Sequence, residues 1–302
     1  MTRADWIAAD WGTTNLRLWA MSAEGRVLHE AQSDDGMGRL KREEFEPALL
    51  RLAGDWLAPD RVTQVFACGM VGARQGWVEA PYRSVPCAPT TPGGFVEAPT
   101  HDPRVRVHIL PGLSQSSPAD VMRGEETQIA GLLANEPGFD GVICLPGTHS
   151  KWVRVSAGEV VSFQTFMTGE LFALLSTQSV LRHGIAGDGW DEGAFLDALS
   201  DTISRPERMA AKLFSLRAEG LLHGLSPETA RARLSGLLIG AELSGAKPYW
   251  LGQEIAIIGA EAVSAAYGAA LRAQGAAPRL VPAGRLTLTG LVTAHAAQRS
   301  QT

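Results

Sequence analysis

Two short stretches offer the clearest chemistry in this 302-residue chain. In the first, the apolar run Ile7-Ala8-Ala9 ends in the carboxylate of Asp10, and Gly12-Thr13-Thr14-Asn15 turns the chain into a second apolar run, Leu16 to Met21. Two short apolar runs joined by turn residues read as a buried hairpin. Gly12 lets a ligand approach the backbone, and the hydroxyls of Thr13 and Thr14 share one spot with free N–H groups, which suits a phosphate. Asp10, at the strand end, is placed to hold a divalent metal ion that bridges phosphate oxygens. An ordinary hairpin with a polar turn fits the same residues.

The second stretch, Gly141 to Val153, repeats the arrangement, with Gly147 and Thr148 standing where Gly12 and Thr13 stand. A third strand-like piece follows each hairpin, Gly25 to His29 and Glu159 to Phe163. This self-similarity predicts an internally duplicated fold. Two phosphate-gripping hairpins facing each other across a cleft would clamp a nucleoside triphosphate.

The elements that position these turns follow from periodicity and punctuation. Phe45, Leu49, Leu52 and Trp56 fall at helical spacing over Glu43–Leu57, and Val62–Cys68 reads as a buried strand that delivers Gly69-Met70-Val71-Gly72 at its end, where open α/β sheets form ligand crevices. Pro81–Pro103 is rich in Pro, Gly and Thr and reads as a long loop of a ligand pocket. A strand over Val105–Leu110 and a helix from Glu125 to Asn135, stopped by Pro137-Gly138, complete the first half. The second half reads as helices over Glu170–Leu181, Asp191–Ile203, Pro206–Glu219 and Pro227–Leu243. Strands then cover Glu254–Gly259 and Arg279–Val281, and a last helix, Leu286–Ala297, is expected to return to the hinge. The boundary is expected near Pro137, giving lobes of residues 1–137 and 138–302.

Composition narrows the function classes. A net charge of −5 gives no support for nucleic-acid binding, and 45% hydrophobic with 20% charged residues is ordinary for a globular protein. Cys68, Cys87 and Cys144 show neither metal spacing nor a disulfide framework, so a reducing cytoplasm is expected. No apolar stretch is long enough to span a bilayer. There is no G-x-x-x-x-G-K-[ST] loop and no Gly-Lys pair at all.

Several blocks then point further: Ala67-Cys68-Gly69-Met70-Val71-Gly72 with Gly76-Trp77, Ala80 to Pro86, Val121 to Gln128, Leu145 to Trp152, Met167 to Leu171, and Ser235 to Glu242. In this order, and nearly end to end, they resemble the 2-dehydro-3-deoxygalactonokinase family of the sugar kinase, actin and heat-shock ATPase superfamily. The resemblance implies a two-lobed, duplicated ribonuclease-H-like (actin-like ATPase) α/β fold, its mixed sheets flanked by helices around an interlobe cleft that closes on the substrate. It implies transfer of a phosphoryl group from ATP, with Mg²⁺, to the 6-hydroxyl of 2-dehydro-3-deoxy-D-galactonate. ATP is then expected on Gly12, Thr13, Thr14, Gly147, Thr148 and Lys151, with the adenosine at Gly259 and Ala260. The sugar acid is expected at Asn15, Arg17, Met70, Gly72, Trp77, Tyr82 and Arg123. Arg17 and Arg123 are the basic residues available to its carboxylate.

The attacking hydroxyl must lose a proton, and Glu125 and Glu126 open the helix that joins the lobes in this superfamily. Glu126 shares the buried stripe of Met122, Ile129 and Leu133, whereas Glu125 lies one position round. Glu125 is therefore the expected base, with Glu126 its structural or metal-side partner and Asp10 the next candidate. One departure from the superfamily is Leu145-Pro146, which stands where the second phosphate motif usually opens with an acidic residue. This favours transfer to a sugar over hydrolysis. An exopolyphosphatase-like phosphohydrolase, a kinase of another 2-keto-3-deoxy sugar acid, and a non-enzymatic ATP sensor stand as alternatives; a homodimer is left open.

Overall fold

The computed structural model describes residues 2–91, 93–185, 187 and 189–300. The chain divides into two compact units.

In the first unit, β1 (Trp6–Trp11), β2 (Leu16–Met21) and β3 (Val27–Ser33) form an antiparallel meander, followed by α1 (Phe45–Ala53) and β4 (Thr63–Cys68). Next come β5 (Tyr82–Ser84), β6 (Val96–Ala98), β7 (Val105–Ile109), β8 (Gly112–Ser116), β9 (Ala119–Met122) and α2 (Glu125–Asn135). The main sheet has the order β3-β2-β1-β4-β7-β6, with β4 and β7 parallel to β1, and β5-β8-β9 form a small second sheet. The stretch expected as one long loop thus contributes two short strands: Tyr82 pairs with Gly112, and Val96–Ala98 pairs with β7. The β8–β9 hairpin was also outside the expectation. At three to five residues these strands are too short to show a period.

The second unit repeats the plan. The strands β10 (Gly141–Leu145), β11 (Ser150–Ser156), β12 (Glu159–Phe166), β13 (Ile255–Gly259) and β14 (Arg279–Pro282) lie in the order β12-β11-β10-β13-β14. That is the meander-then-parallel order of β3-β2-β1-β4-β7, so the duplication expected from the two Gly-Thr turns is present strand for strand. Between β12 and β13 lie α3 (Thr168–Thr177), α4 (Glu192–Ser204), α5 (Met209–Leu222), α6 (Pro227–Gly245) and the short α7 (Lys247–Trp250), and α8 (Glu261–Ala273) follows β13. The start of α6 follows the sequence reading: Ser226 Oγ accepts the Thr229 N–H at 3.2 Å, with Pro227 at the first helical position. Asp191 caps α4 through the Ala194 N–H and also accepts the Thr229 hydroxyl, which ties the two helix starts together.

The last helix, α9 (Leu286–Arg299), counts with the first unit, as does the segment 156–162. Residues from Ala283 onward were expected in the second lobe. They return to the first because α9 docks on α2 through glycines. A Cβ on Gly290 would lie 2.0 Å from the Thr127 carbonyl oxygen, and one on Gly131 2.0 Å from that of Leu286. This close crossing fixes α2, which carries the paired glutamates. Among the described residues no helix is long and apolar enough to cross a membrane.

Candidate active site

The first Gly-Thr turn stands at the C-terminal end of β1. Gly12 N–H donates to the Asn15 carbonyl at 3.0 Å, and the segment after β3 packs onto the turn, with Met37 and Gly38 N–H groups donating to the carbonyls of Gly12 and Thr13. Asp10 and Arg17 face each other across the hairpin and form an ion pair of 2.5 Å. With Gly12, Thr14, Asn15, Gln32, Ser33 and Asp34 they line an open polar cavity of about 700 Å³. Arg17 is therefore engaged by Asp10 rather than held ready for a ligand, and one carboxylate oxygen of Asp10 is already used.

Three chain segments converge beside Asp10. Cys68 is its parallel-strand neighbour on β4. Gly69 follows at φ 93°, where a Cβ would lie 2.7 Å from the Trp11 carbonyl oxygen. Gly124, at φ 106°, brings the start of α2 against Gly69. The Cys68 thiol is pushed far above its usual range by burial and then by the neighbouring charges of Asp10 and Glu126. Asp10 and the α2 glutamates thus belong to one cluster.

Within that cluster the two glutamates differ. Glu125 accepts the Arg123 N–H at 3.0 Å and is half-buried. Glu126 is 1% exposed, accepts the Gly124 N–H at 2.7 Å and the Thr127 hydroxyl at 3.1 Å, and has its pKa raised to about 8 by burial and then by Glu125. With its pKa at about 8, Glu126 holds its proton at neutral pH.

This has a measurable consequence. A folded-state carboxyl raised above its unfolded value stabilises the fold fully below pH 4.5, and that stability is lost as pH rises through about 8. The decline is expected to be on the order of a few kcal/mol. The Glu126→Gln variant should lack it, so denaturant midpoints of parent and variant should diverge between pH 5 and pH 8. Parallel profiles would contradict a protonated Glu126.

Arg123 is nine-tenths buried. One guanidinium nitrogen donates to the Ala80 carbonyl at 2.7 Å, and the group lies over the Tyr82 ring at 4.3 Å. Its Nε and Nη1 have no hydrogen-bond partner, and Gly72 leaves room for Nη1, since a Cβ there would stand 2.9 Å from it. Gly72 and Tyr82 therefore belong to the setting of Arg123. Met70 is half-buried in the turn after β4, and Asn15 is exposed in the first Gly-Thr turn. Trp77 needs correction: it is 2% exposed, packed edge-on to Trp11 and stacked near Phe45, and so serves the core rather than a ligand surface.

In the second unit, Gly147 and Thr148 border a cavity of about 880 Å³. Gly169 permits α3 to approach this turn, for a Cβ there would lie 2.2 Å from the Gly147 carbonyl oxygen. Glu170 holds the turn twice, through its N–H to the Thr148 carbonyl at 2.9 Å and through its carboxylate to His149 at 2.6 Å. Lys151 pairs with Leu145 across the hairpin, the position that Arg17 and Asp10 hold in the first unit, and its ammonium is 3.4 Å from the His149 carbonyl. The turn keeps a cation where the acid has been replaced.

Gly259 and Ala260 form the junction into α8, but the cavity wall is built from the next two turns of that helix, Ala262 to Ala269. Other lining residues were missed from the sequence. Trp190 lies against Phe195 at 5.0 Å between centroids, Arg231 sits over Phe172 at 5.0 Å, and Ser235 and Arg272 add polar groups. On their own helices Phe172 and Phe195 read as core residues, Trp190 lies just before α4, and no local pattern distinguishes them.

The family model of the 2-keto-3-deoxy-galactonokinases matches residues 10–294. The chain belongs to this family. Relatives within it agree along their whole length. A Rhizobium meliloti protein named "Probable 2-dehydro-3-deoxygalactonokinase" is 41% identical over 97% of this chain and 98% of its own. The 2-dehydro-3-deoxygalactonokinase of Escherichia coli is 35% identical over 90% and 91%. A crystal structure from Sinorhizobium meliloti of the same description superposes with a TM-score of 0.88 at 40% identity, covering 97% of this chain and 98% of that one. The Clostridium difficile activator of 2-hydroxyisocaproyl-CoA dehydratase shares the fold at a TM-score of 0.53 and 13% identity, with 98% and 96% covered. The fold is thus that of the actin-like ATPases and sugar kinases.

Proposed function

We propose that this chain phosphorylates 2-dehydro-3-deoxy-D-galactonate at its 6-hydroxyl with ATP, a cytoplasmic step of galactonate catabolism. The observation that carries the reading is the family match over residues 10–294, which takes in both phosphate turns and the paired glutamates of α2. In this reading Gly12, Thr13 and Thr14 of the first unit, and Gly147, Thr148 and Lys151 of the second, are phosphate-binding residues. The adenosine takes the second-unit cavity, its base against the Trp190 and Phe172 rings and its ribose beside α8. Three free thiols agree with a reducing compartment.

Mg²⁺ fits the residues present. Among the described residues no three His, Cys, Asp or Glu side chains are grouped as a metal cage. Mg²⁺ needs none, since it takes one or two carboxylates and completes its shell with phosphate and water. Asp10 would supply that carboxylate through the oxygen that Arg17 leaves, and the ion would neutralise charge on the phosphates. The sugar oxygen attacks the terminal phosphorus, its proton passes to Glu125, and the bond to the departing ADP breaks. Glu126, protonated and buried, holds the Gly124 N–H and keeps the start of α2 in place.

Arg123 is assigned to the carboxylate of the sugar acid. Two buried guanidinium nitrogens, Nε and Nη1, have no partner, which is costly, and a charged acceptor such as a carboxylate would satisfy one of them by a charge-assisted hydrogen bond. Arg123→Ala is expected to raise KM for the sugar acid by about a hundredfold while KM for ATP changes little, as loss of a charge-assisted pair implies. Equal rises in both constants would return Arg123 to a structural role.

A further inference from the structure

Glu242, near the end of α6, is a carboxylate that the reaction described above does not use. It is 2% exposed, in a setting where an uncompensated charge is expensive. Its two oxygens face polar groups from three other elements. Trp152 Nε1 on β11 donates to one oxygen at 2.8 Å, and the Tyr267 hydroxyl on α8 donates to the other at 2.7 Å. The hydroxyls of Ser150 on β11 and Thr168 at the start of α3 stand near it and favour its charged form. Ser150 Oγ lies 2.9 Å from the Tyr267 hydroxyl, which closes the network. Burial holds the carboxyl above its ordinary range against these polar neighbours.

Each of these groups sits one step from the nucleotide cavity. Thr168 and Tyr267 line it. Ser150 and Trp152 follow the Gly147-Thr148 turn on β11, and as i and i+2 residues of one strand they point to the same face. The acceptor itself stands on a fixed support. Gly236 and Gly240 let α4 press against α6, since a Cβ at either would lie 2.3 Å or 2.8 Å from a carbonyl oxygen of α4.

We propose that Glu242 is the positioning residue of the nucleotide site, setting the spacing of the second phosphate turn, the start of α3 and helix α8 from one buried carboxylate. The inference rests on reading this cavity as the nucleotide site. It places the strength of ATP binding partly in a side chain that never touches ATP, and it leaves the sugar acid untouched.

The test uses ADP with Mg²⁺ in titration calorimetry, alongside steady-state kinetics, on Glu242→Gln, Tyr267→Phe and the double variant. Gln keeps the shape and one acceptor oxygen, so the fold is expected to survive. Glu242→Gln should weaken ADP binding and raise KM for ATP by roughly tenfold, the loss of one charge-assisted hydrogen bond, with KM for the sugar acid within about twofold of the parent. Tyr267→Phe should show a smaller effect of the same kind, and the double variant should be no weaker than Glu242→Gln, because both act through one network. Unchanged ADP binding in Glu242→Gln, or equal rises of both KM values, overturns the inference. A parent that binds no ADP overturns the reading of the cavity, and the inference with it.

Discussion

Asp10→Asn is expected to lower kcat by about a thousandfold or more, since charge neutralisation on the transferred phosphoryl group is the largest contribution a kinase makes. The carboxylate ends β1, faces Arg17 across the hairpin and lines the polar cavity with Gly12 and Thr14. Asn keeps the size and one acceptor oxygen but gives up the charge that a divalent ion requires. The Arg17 partner also loses its counter-ion, so two consequences have to be separated. Raising the Mg²⁺ concentration should recover part of the activity of Asp10→Asn if the metal is what was lost. Arg17→Gln, which removes the ion pair and leaves the carboxylate, should retain far more activity. Full activity in Asp10→Asn, measured with the fold intact, would remove the metal role.

Glu125→Gln is expected to lower kcat by about two to four orders of magnitude with KM for ATP little changed, the loss of a positioned proton acceptor. Glu125 is favoured over its neighbour on two grounds. It is half-buried, and so reachable, whereas Glu126 is 1% exposed. Glu126 also already carries a proton at neutral pH, with a pKa of about 8, and cannot take another. Glu126→Gln should accordingly keep most of kcat near neutrality. A normal kcat in Glu125→Gln would make Asp10 the next candidate for the base.

The parts legible in the sequence were those set by short-range chemistry. Each Gly-Thr turn follows an apolar run and precedes another, so both hairpins and the duplication could be read from spacing. The Ser226 cap, the α2 helix and the burial of Glu126 follow from local pattern in the same way. The Asp10–Arg17 pair was also within reach, because a hairpin that pairs Trp11 with Leu16 must pair Asp10 with Arg17. What stayed hidden depends on which core an element joins. The α9 sequence reads as a helix returning to the hinge, but only its close approach to α2 at Gly290 and Gly131 decides that it belongs to the first unit. Trp77 stood in a block with polar and glycine residues, yet its ring fills the space beside Trp11. Trp190, Phe172 and Arg231 come together from three separate segments of the second unit, and no spacing in the chain announces it.

The central claim is phosphoryl transfer from ATP to a sugar acid. The most direct test is ADP formation by the purified protein in Mg²⁺ and ATP, with and without 2-dehydro-3-deoxy-D-galactonate, with phosphorus NMR locating the phosphate on the product. The account predicts that ADP appears in step with a 6-phosphorylated sugar acid and that ADP release is negligible without it. Sustained phosphate release without the sugar acid, or no turnover in its presence, would contradict it.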